Sequence, residues 1–181
     1  SLLLNVADSD TTKLDWDDLS GDGVVSGFDD LVNTLNLRVS GNLELGIAGY
    51  VKAAGSFTIS QQSTVTIDDG AISSFDGDVL SINVSNVILF VGSDAGNFSY
   101  NIDGSVASLD TSAATGFLAS GASINIAIIS ESGGTRSWMA VAAQISSLGV
   151  IGVDDFTLSA TSLSLLLNVA DSDTTKLDWD D

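Results

Sequence analysis

The stretch LNLRVSGNLELGIAGYVKAAGSFTI, residues 35–59, alternates apolar and polar side chains over twenty-five residues. Its odd positions carry Leu, Val, Ile, Phe, Ala or Gly, and most of its even positions carry polar residues. A period of two is typical of a β-strand, because successive side chains point to opposite faces of a sheet. Since the stretch is longer than an ordinary strand, we predict a turn near Gly46–Gly49.

Similar segments continue along the chain. Asp69-Gly70 is a hairpin signal between two alternating segments, and Gly133-Gly134 is another turn signal. We therefore predict a mainly β fold, in which long antiparallel strands form an elongated sheet, a sandwich or a roll. The further strand candidates are STVTID (63–68), VLSINVSNVILFVG (79–92), GFLASGASINIAIIS (116–130), RSWMAVAAQISS (136–147) and DFTLSATSLSLLLN (155–168).

One segment occurs twice, since SLLLNVADSDTTKLDWDD forms both residues 1–18 and residues 164–181. An identity of this length indicates that residue n and residue n+163 are one position in two successive repeats. We therefore interpret 1–163 as one complete tandem-repeat unit and 164–181 as the start of the next. Nothing Pro-rich or low in complexity separates the two, so we expect neighbouring units to dock directly. The sheet could close within one unit or continue through several.

The charge balance is strongly acidic, with 24 acidic residues against 5 basic ones and a net charge of −19. Such a surface repels nucleic acid. No apolar run reaches about 18 residues, so we also expect no membrane insertion. Of the acids 22 are Asp, which with Gly, Ser and Asn favours turns and oxygen ligands for cations. This composition is typical of secreted bacterial repeat proteins that carry calcium, and it predicts an extracellular location at the bacterial cell surface. A soluble acidic domain of no special location is the alternative.

The chain contains neither His nor Cys. It therefore has no imidazole base, no thiol nucleophile and no Ser-His-Asp triad. A glycosidase that uses only carboxylates would need two apposed acids in a cleft. We expect no enzymatic activity, since a repeated array is an unusual way to build one active site.

The segment DLSGDGVVSGFD, residues 18–29, has the spacing of a calcium loop of the EF-hand type. Alternate oxygen-bearing residues can point at one cation as the chain wraps around it, and Gly23 allows the sharp turn in the middle. The position after this glycine contributes its main-chain carbonyl, so its side chain is free to vary. The predicted ligands are Asp18, Ser20, Asp22, Val24 (main chain), Ser26 and Asp29.

A short helix is predicted directly after this loop, at about 28–35. Phe28, Leu31, Val32 and Leu35 recur at the spacing of a single helical stripe. Asp29 and Asp30 would lie in its first turn, where the helix dipole favours negative charge.

Two resemblances add to these observations. DLSGDGVVSGFDDLVNTL resembles the calcium loop and following helix of a dockerin repeat, which implies Ca²⁺ as cofactor and the same six ligands. A dockerin carries two such loops in tandem, whereas this unit has one, so we take over the metal site and not cohesin binding. The stretch from about Val91 to Asn168, and especially RSWMAVAAQISSLGVIGVDDFTLSATSLSLLLN (136–168), is similar to long repeats of giant bacterial adhesin-like surface proteins, which implies an extracellular array.

Other acids and the tryptophans are weaker candidates. Two acidic groups could each hold a second ion, although ordinary turn chemistry explains them as well. The tryptophans are expected to pack in the core or between repeats rather than to stack on sugars. The acidic groups are Asp8, Asp10, Asp15 and Asp17, and Asp68, Asp69, Asp76 and Asp78; the tryptophans are Trp16, Trp138 and Trp179.

The sequence thus favours a structural repeat of a very large secreted bacterial surface or fibre protein, stabilised by calcium at the repeat junction. Its partners would be neighbouring repeats of the same chain, and it could also associate laterally with other arrays. The alternative is an adhesive module that binds a glycan or another cell-surface ligand.

Overall fold

The computed structural model of the chain describes residues 1–9, 12–70, 72–171 and 174–179. Long antiparallel strands dominate these residues, which confirms the predicted mainly β fold. The strands are β1 (Leu2–Leu4), β2 (Leu35–Ile47), β3 (Val51–Ile67), β4 (Phe75–Ser93), β5 (Phe98–Tyr100), β6 (Val106–Leu109), β7 (Thr115–Glu131), β8 (Ser137–Ile151) and β9 (Ser159–Val169).

Seven of the strands form one sheet in the order β1-β2-β3-β4-β7-β8-β9, and every neighbouring pair is antiparallel. The short strands β5 and β6 form a separate two-stranded sheet. The strands that lie at the two edges of the large sheet are therefore β1 and β9. Because residues 2–4 and 165–167 are equivalent, the repeated segment lies at both edges of one sheet.

The turn predicted near Gly46–Gly49 is confirmed, since β2 ends at Ile47 and β3 begins at Val51. The Tyr50 N–H donates to the Ile47 carbonyl over 2.9 Å. Ala48 and Gly49 have φ angles of 49° and 76°. Positive φ at both central residues is typical of a two-residue type I′ hairpin turn. The two other turn signals also lie between strands, with Asp69-Gly70 between β3 and β4 and Gly133-Gly134 between β7 and β8.

A row of irregular positions crosses the sheet near the middle of its strands, and we call this row the crease. Residues of the crease face one another across β3, β4, β7, β8 and β9, where the pairing skips or the backbone is left-handed. Irregular residues of this kind bend a strand and locally increase its twist. The crease therefore divides the long strands into two halves. Its residues are Gly55, Asn86 (φ 53°), Gly121 (φ 62°), Ser146 and Ser162 (φ 56°).

The buried side chains form two small clusters, one on each side of the crease. The first surrounds Phe90 and is covered by the β5–β6 hairpin through Phe98 and Leu109. The second surrounds Ile129 and Trp138, and it is covered by Leu177, which lies in the second copy of the repeated segment. Part of the core is thus completed by a residue of the second copy.

The prediction of a helix at about 28–35, after the calcium loop, is wrong. These residues form two turns, in which the Leu31 N–H donates to Phe28 O and the Leu35 N–H donates to Val32 O, both over 3.1 Å. Asp30 has a φ of 68°, which a right-handed helix cannot contain. Leu31 and Leu35 are nevertheless buried, so the apolar spacing reflected burial and not helical geometry.

Candidate functional site

The one helix of the described residues, α1 (Trp16–Gly21), lies at the start of the predicted calcium loop. Asp15 caps it, because its side chain accepts a hydrogen bond from the Asp18 N–H over 3.3 Å. Asp17 and Asp18 occupy the first turn, where the helix dipole favours carboxylates. The helix ends at Gly21, and the chain reverses at Gly23, whose φ is 74°. Asp18 and Ser20 are therefore helical residues and not part of an open loop.

Two hydrogen bonds close the segment 18–29 into a compact unit. The Ser20 hydroxyl donates to Asp29 Oδ1 over 2.9 Å, which brings together the third and twelfth positions of the predicted loop. The Val24 N–H donates to the Leu19 carbonyl over 3.0 Å. Beyond the loop, the Asp30 N–H donates to Asp17 Oδ1 over 2.8 Å, so the helix and the following turn are held against each other.

The remaining predicted ligands do not converge in this arrangement. Helical residues two apart face different directions, so Asp18 points away from Ser20. Val24 and Ser26 are exposed. Within the described ranges there is no group of three or more His, Cys, Asp or Glu side chains that could hold a metal ion. Ser20 and Asp29 are the predicted ligands whose side chains are hydrogen-bonded to each other, and the calcium site stays a prediction.

The weaker acidic candidates mostly serve turns. The Gly70 N–H donates to Asp68 Oδ1 over 3.1 Å, and the Thr66 hydroxyl donates to Asp76 Oδ1 over 3.1 Å. Asp103 accepts from the hydroxyl and the N–H of Ser105, and these hydrogen bonds lower its pKa. Asp10 lies outside the described residues.

Asp69 differs from the other acids because it is buried, with only 4% of its surface exposed. Its Oδ1 accepts the Ile72 N–H over 2.7 Å, and its Oδ2 accepts the Asp178 N–H over 3.1 Å. Asp178 belongs to the second copy of the repeated segment. Asp69 therefore connects the β3–β4 loop to the second copy of the repeated segment.

The two copies of the repeated segment share one local arrangement around Asn5 and the equivalent Asn168. In the first copy, Asn5 donates from Nδ2 to the Leu14 carbonyl over 3.0 Å and accepts the Trp16 indole N–H over 3.2 Å. In the second copy, the equivalent Asn168 makes the same two hydrogen bonds, over 2.9 Å and 3.2 Å. We call this arrangement the asparagine clamp. The turn next to it is also repeated, since the Asp8 N–H donates to Thr12 O and the Asp171 N–H donates to Thr175 O.

The first copy is docked on its own unit. Asn5 Nδ2 donates a second hydrogen bond, to the Val32 carbonyl over 3.1 Å, and the Trp16 N–H donates to Leu31 O over 3.0 Å. The rings of Trp16 and Phe28 lie 5.5 Å apart. This side of the segment is thus fastened to the loop that follows the predicted calcium site.

The second copy is docked on strands β7 and β8 through different contacts. The Trp138 indole N–H donates to the Thr175 carbonyl over 3.0 Å, and the Ser137 N–H donates to Asp171 Oδ1 over 3.1 Å. Leu177 is inserted beside Trp138, which is buried as the packing interpretation of the tryptophans requires. If the predicted units follow one another in tandem, each copy occupies one half of a junction between them.

A charged pair borders the second junction half. The Arg136 guanidinium donates to both carboxylate oxygens of Glu131, over 2.8 Å and 2.7 Å. It also lies 5.2 Å from the centre of the Phe75 ring and 5.1 Å from that of Trp138. Hydrogen bonds from Arg136 lower the pKa of Glu131, although desolvation opposes the shift.

Sequence reasoning did not find the asparagine clamp or the role of Asp69. The exact repetition includes the clamp residues, but their spacing resembles no known motif. The contacts that Asp69 makes depend on how β3 and the second copy meet in space, which a local pattern does not encode.

Comparisons of the chain with protein-family models, with curated proteins and with solved structures found no match. In the part of the chain that the structure describes, no helix has the length and apolar character needed to cross a membrane.

Proposed function

We propose that this chain is a structural repeat of a very large extracellular protein of the bacterial surface or of a fibre. In such a protein, units of 163 residues would follow one another in tandem and calcium would stabilise each junction. The observation that carries the proposal is the placement of the repeated segment: one copy is docked on its own unit, and the equivalent copy is docked on the preceding one.

Direct docking supports a stiff array rather than domains on flexible linkers. The second copy contributes residues 164–169 of β9 to the sheet, a buried leucine to the core and an N–H to buried Asp69. Because repeat arrays gain stability from interfaces between nearest neighbours, such a junction should couple the unfolding of adjacent units.

Calcium would act at the loop 18–29, which follows the junction directly. Ser20 and Asp29 are already in contact, whereas Asp18 and Asp22 would have to turn inward from α1 and its C-terminal end. Bound calcium would supply positive charge to a chain of net charge −19 and would draw these oxygens together. An extracellular module of this kind binds with a Kd on the order of 10⁻⁴–10⁻³ M.

The array is tested by comparing the 181-residue chain with a chain in which residues 1–163 occur twice before the final eighteen residues. We expect the longer chain to unfold in one transition at a higher denaturant concentration, monitored by circular dichroism. Unfolding at the same midpoint as the single unit would contradict direct coupling between units.

The calcium site is tested separately by thermal unfolding of the 181-residue chain in calcium and in EDTA. Calcium at about 10 mM should add about 1.4–2.7 kcal/mol of stability if the Kd lies in the stated range. Asp22→Ala should abolish this gain. Asp154→Ala is the matched control, because it removes the same charge from an exposed position outside the loop. A gain that survives Asp22→Ala, or no gain at all, would reject the loop as the calcium site while leaving the array proposal intact.

An adhesive role is the second candidate, and the Trp16–Phe28 pair favours it, because aromatic rings beside a calcium loop are suited to stacking on a sugar. Phe28 is 39% exposed. If the repeat binds a glycan there, Phe28→Ala should remove binding to a glycan array without changing the calcium response. Retention of glycan binding by Phe28→Ala would reject this face as the adhesive site.

A further inference from the structure

Strand β9 forms one edge of the large sheet, so within the described residues β8 is its one strand partner. The second half of β9 repeats the sequence of residues 1–6, of which residues 2–4 pair with a different strand. Residues 165–167 pair with β8, in the register Leu165 with Ala143, Leu166 with Ala142 and Leu167 with Val141. The equivalent residues 2–4 pair with β2, in the register Leu2 with Val39, Leu3 with Arg38 and Leu4 with Leu37. One strand sequence thus has two antiparallel partners, and each pairing is seen in this chain.

The two pairings use opposite sides of the strand. On β2, Ser1 exchanges two hydrogen bonds with Ser40, over 2.7 Å and 3.0 Å, and the Asn5 N–H donates to Asn36 O. In an antiparallel pair, hydrogen-bonded residues alternate with residues whose main-chain groups face away. The groups that face β2 are therefore those of Ser1, Leu3 and Asn5, which correspond to Ser164, Leu166 and Asn168.

The pairing with β8 uses the main-chain groups of the residues that alternate with these three. The Glu131 N–H donates to the Arg136 carbonyl, so Arg136 and every second residue after it bond to β7. The odd-numbered residues of β8 then face the next strand, in agreement with the hydrogen bond from the Ser137 N–H to Asp171. Their partners on β9 are Leu165, Leu167 and Val169.

Odd-numbered residues of β8 face β9 only between the β7–β8 turn and the crease. Beyond the crease, the Val150 N–H donates to Leu158 O, so even-numbered residues of β8 bond to that part of the chain. The left-handed residues Gly121 and Ser162 account for the change. The repeated residues 164–169 lie entirely between the β7–β8 turn and the crease, where odd-numbered residues of β8 face β9.

We infer that the segment 164–168 is bound on both sides at once in an array, by β8 of its own unit and by β2 of the following unit. The inference rests on the proposed tandem arrangement and adds that the β-sheet continues without interruption across each junction. Ser164, Leu166 and Asn168 direct their main-chain groups away from β8, towards the place that the next β2 would occupy. Leu166 is 82% exposed, and an uncharged edge strand without proline is open to further pairing.

A shared strand also sets the dimensions of the array. Seven strands with the two equivalent edges counted once give six strands for each unit. At about 4.8 Å between strands, a unit would then advance roughly 29 Å along the array. Units joined end to end along their strands of up to 19 residues would instead advance about 60 Å.

Amide hydrogen exchange measured by NMR tests the inference on unsubstituted chains. In the 181-residue chain, the amides of Leu165 and Leu167 should be protected and that of Leu166 should exchange freely. At the internal junction of the two-unit chain, Leu166 should exchange more slowly by about tenfold or more, while Leu165 and Leu167 keep their protection. An unprotected Leu166 there would overturn the inference, and so would loss of protection at Leu165, which would show that the strand exchanges one partner for the other.

Proline variants give a matched control. Leu166→Pro removes an N–H that faces the next unit, so it should leave the melting temperature of the 181-residue chain unchanged but weaken the coupling in the two-unit chain. Leu167→Pro removes an N–H that bonds to β8, so it should lower stability in both chains. If the two units unfold together but Leu166 stays unprotected, the array proposal stands and the continuous sheet is rejected.

Discussion

Leu14 and Leu177 are the same position of the repeated segment, yet 55% of Leu14 is exposed and only 3% of Leu177 is. The local structure around them is the same, since both copies contain the asparagine clamp. The difference is therefore not local. Leu177 packs against Ile129 and Trp138, whereas Leu14 is largely exposed to solvent. The comparison teaches that one sequence is packed on two different surfaces, and each copy shows one of them.

The largest effect is expected from truncating this leucine in each copy. Leu177→Ala should lower the free energy of unfolding by about 2–5 kcal/mol, because it leaves a cavity beside Trp138. Leu14→Ala should change it by no more than about 0.5 kcal/mol, because the side chain is exposed. Urea unfolding followed by tryptophan fluorescence measures both. Equal effects of the two substitutions would contradict the assignment of Leu177 to a junction.

At the asparagine clamp, the larger loss of stability is expected in the first copy and not in the second. Asn5 is 4% exposed and makes one hydrogen bond more than Asn168, to the Val32 carbonyl. Its replacement leaves three hydrogen-bonding groups without their partner at a buried position, so Asn5→Ala should cost about 1–3 kcal/mol of unfolding free energy. Asn168→Ala should cost less, about 0.5–1.5 kcal/mol, because Asn168 makes one hydrogen bond fewer and is only half-buried. A larger loss for Asn168→Ala, in the same urea measurement, would show that the preceding unit and not its own unit anchors the clamp.

The strands could be predicted from the sequence and the helix could not, for a physical reason. Alternation over 35–59 records a backbone geometry that continues for many residues, and the turn within it has its own signal at Gly49. The apolar spacing of Phe28, Leu31, Val32 and Leu35 records burial, which two turns achieve as well as a helix does. The real helix is short, and its only signals are a capping Asp15 and acids in the first turn.

The candidate site was predictable in part. The predicted loop contains both Ser20 and Asp29, which the structure places in contact, but its pattern did not indicate that Asp18 and Ser20 lie in a helix. The repeated segment is visible in the sequence alone because the repetition is exact. The sides of the segment that face each unit could not be predicted, since they depend on strands β2 and β8, which are far apart in the chain.

The pH dependence of the second junction half follows from Glu131. Its pKa is lower in the folded chain than in the unfolded chain, so its pairing with Arg136 stabilises the fold above the ordinary glutamate pKa of about 4.3. This contribution should be lost as the pH falls through the lower, folded pKa. Glu131→Gln should therefore be less stable than the unsubstituted chain at pH 7, and the gap should narrow towards pH 3. A gap that is independent of pH, in urea titrations across this range, would assign the effect to packing rather than to charge.

The smallest effect is expected at the outward side of the repeated strand. Leu3 is half-buried on its own unit, whereas the equivalent Leu166 is 82% exposed. Leu166→Thr should therefore change the unfolding free energy by no more than about 0.5 kcal/mol, and Leu3→Thr should cost about 1 kcal/mol. Thr suits a strand, so neither change should disturb the backbone pairing. In the two-unit chain the residue at the internal junction should behave like Leu3, because the following unit would then cover it. If it behaves like the exposed Leu166 of the single unit, the two sides of the segment are not used together.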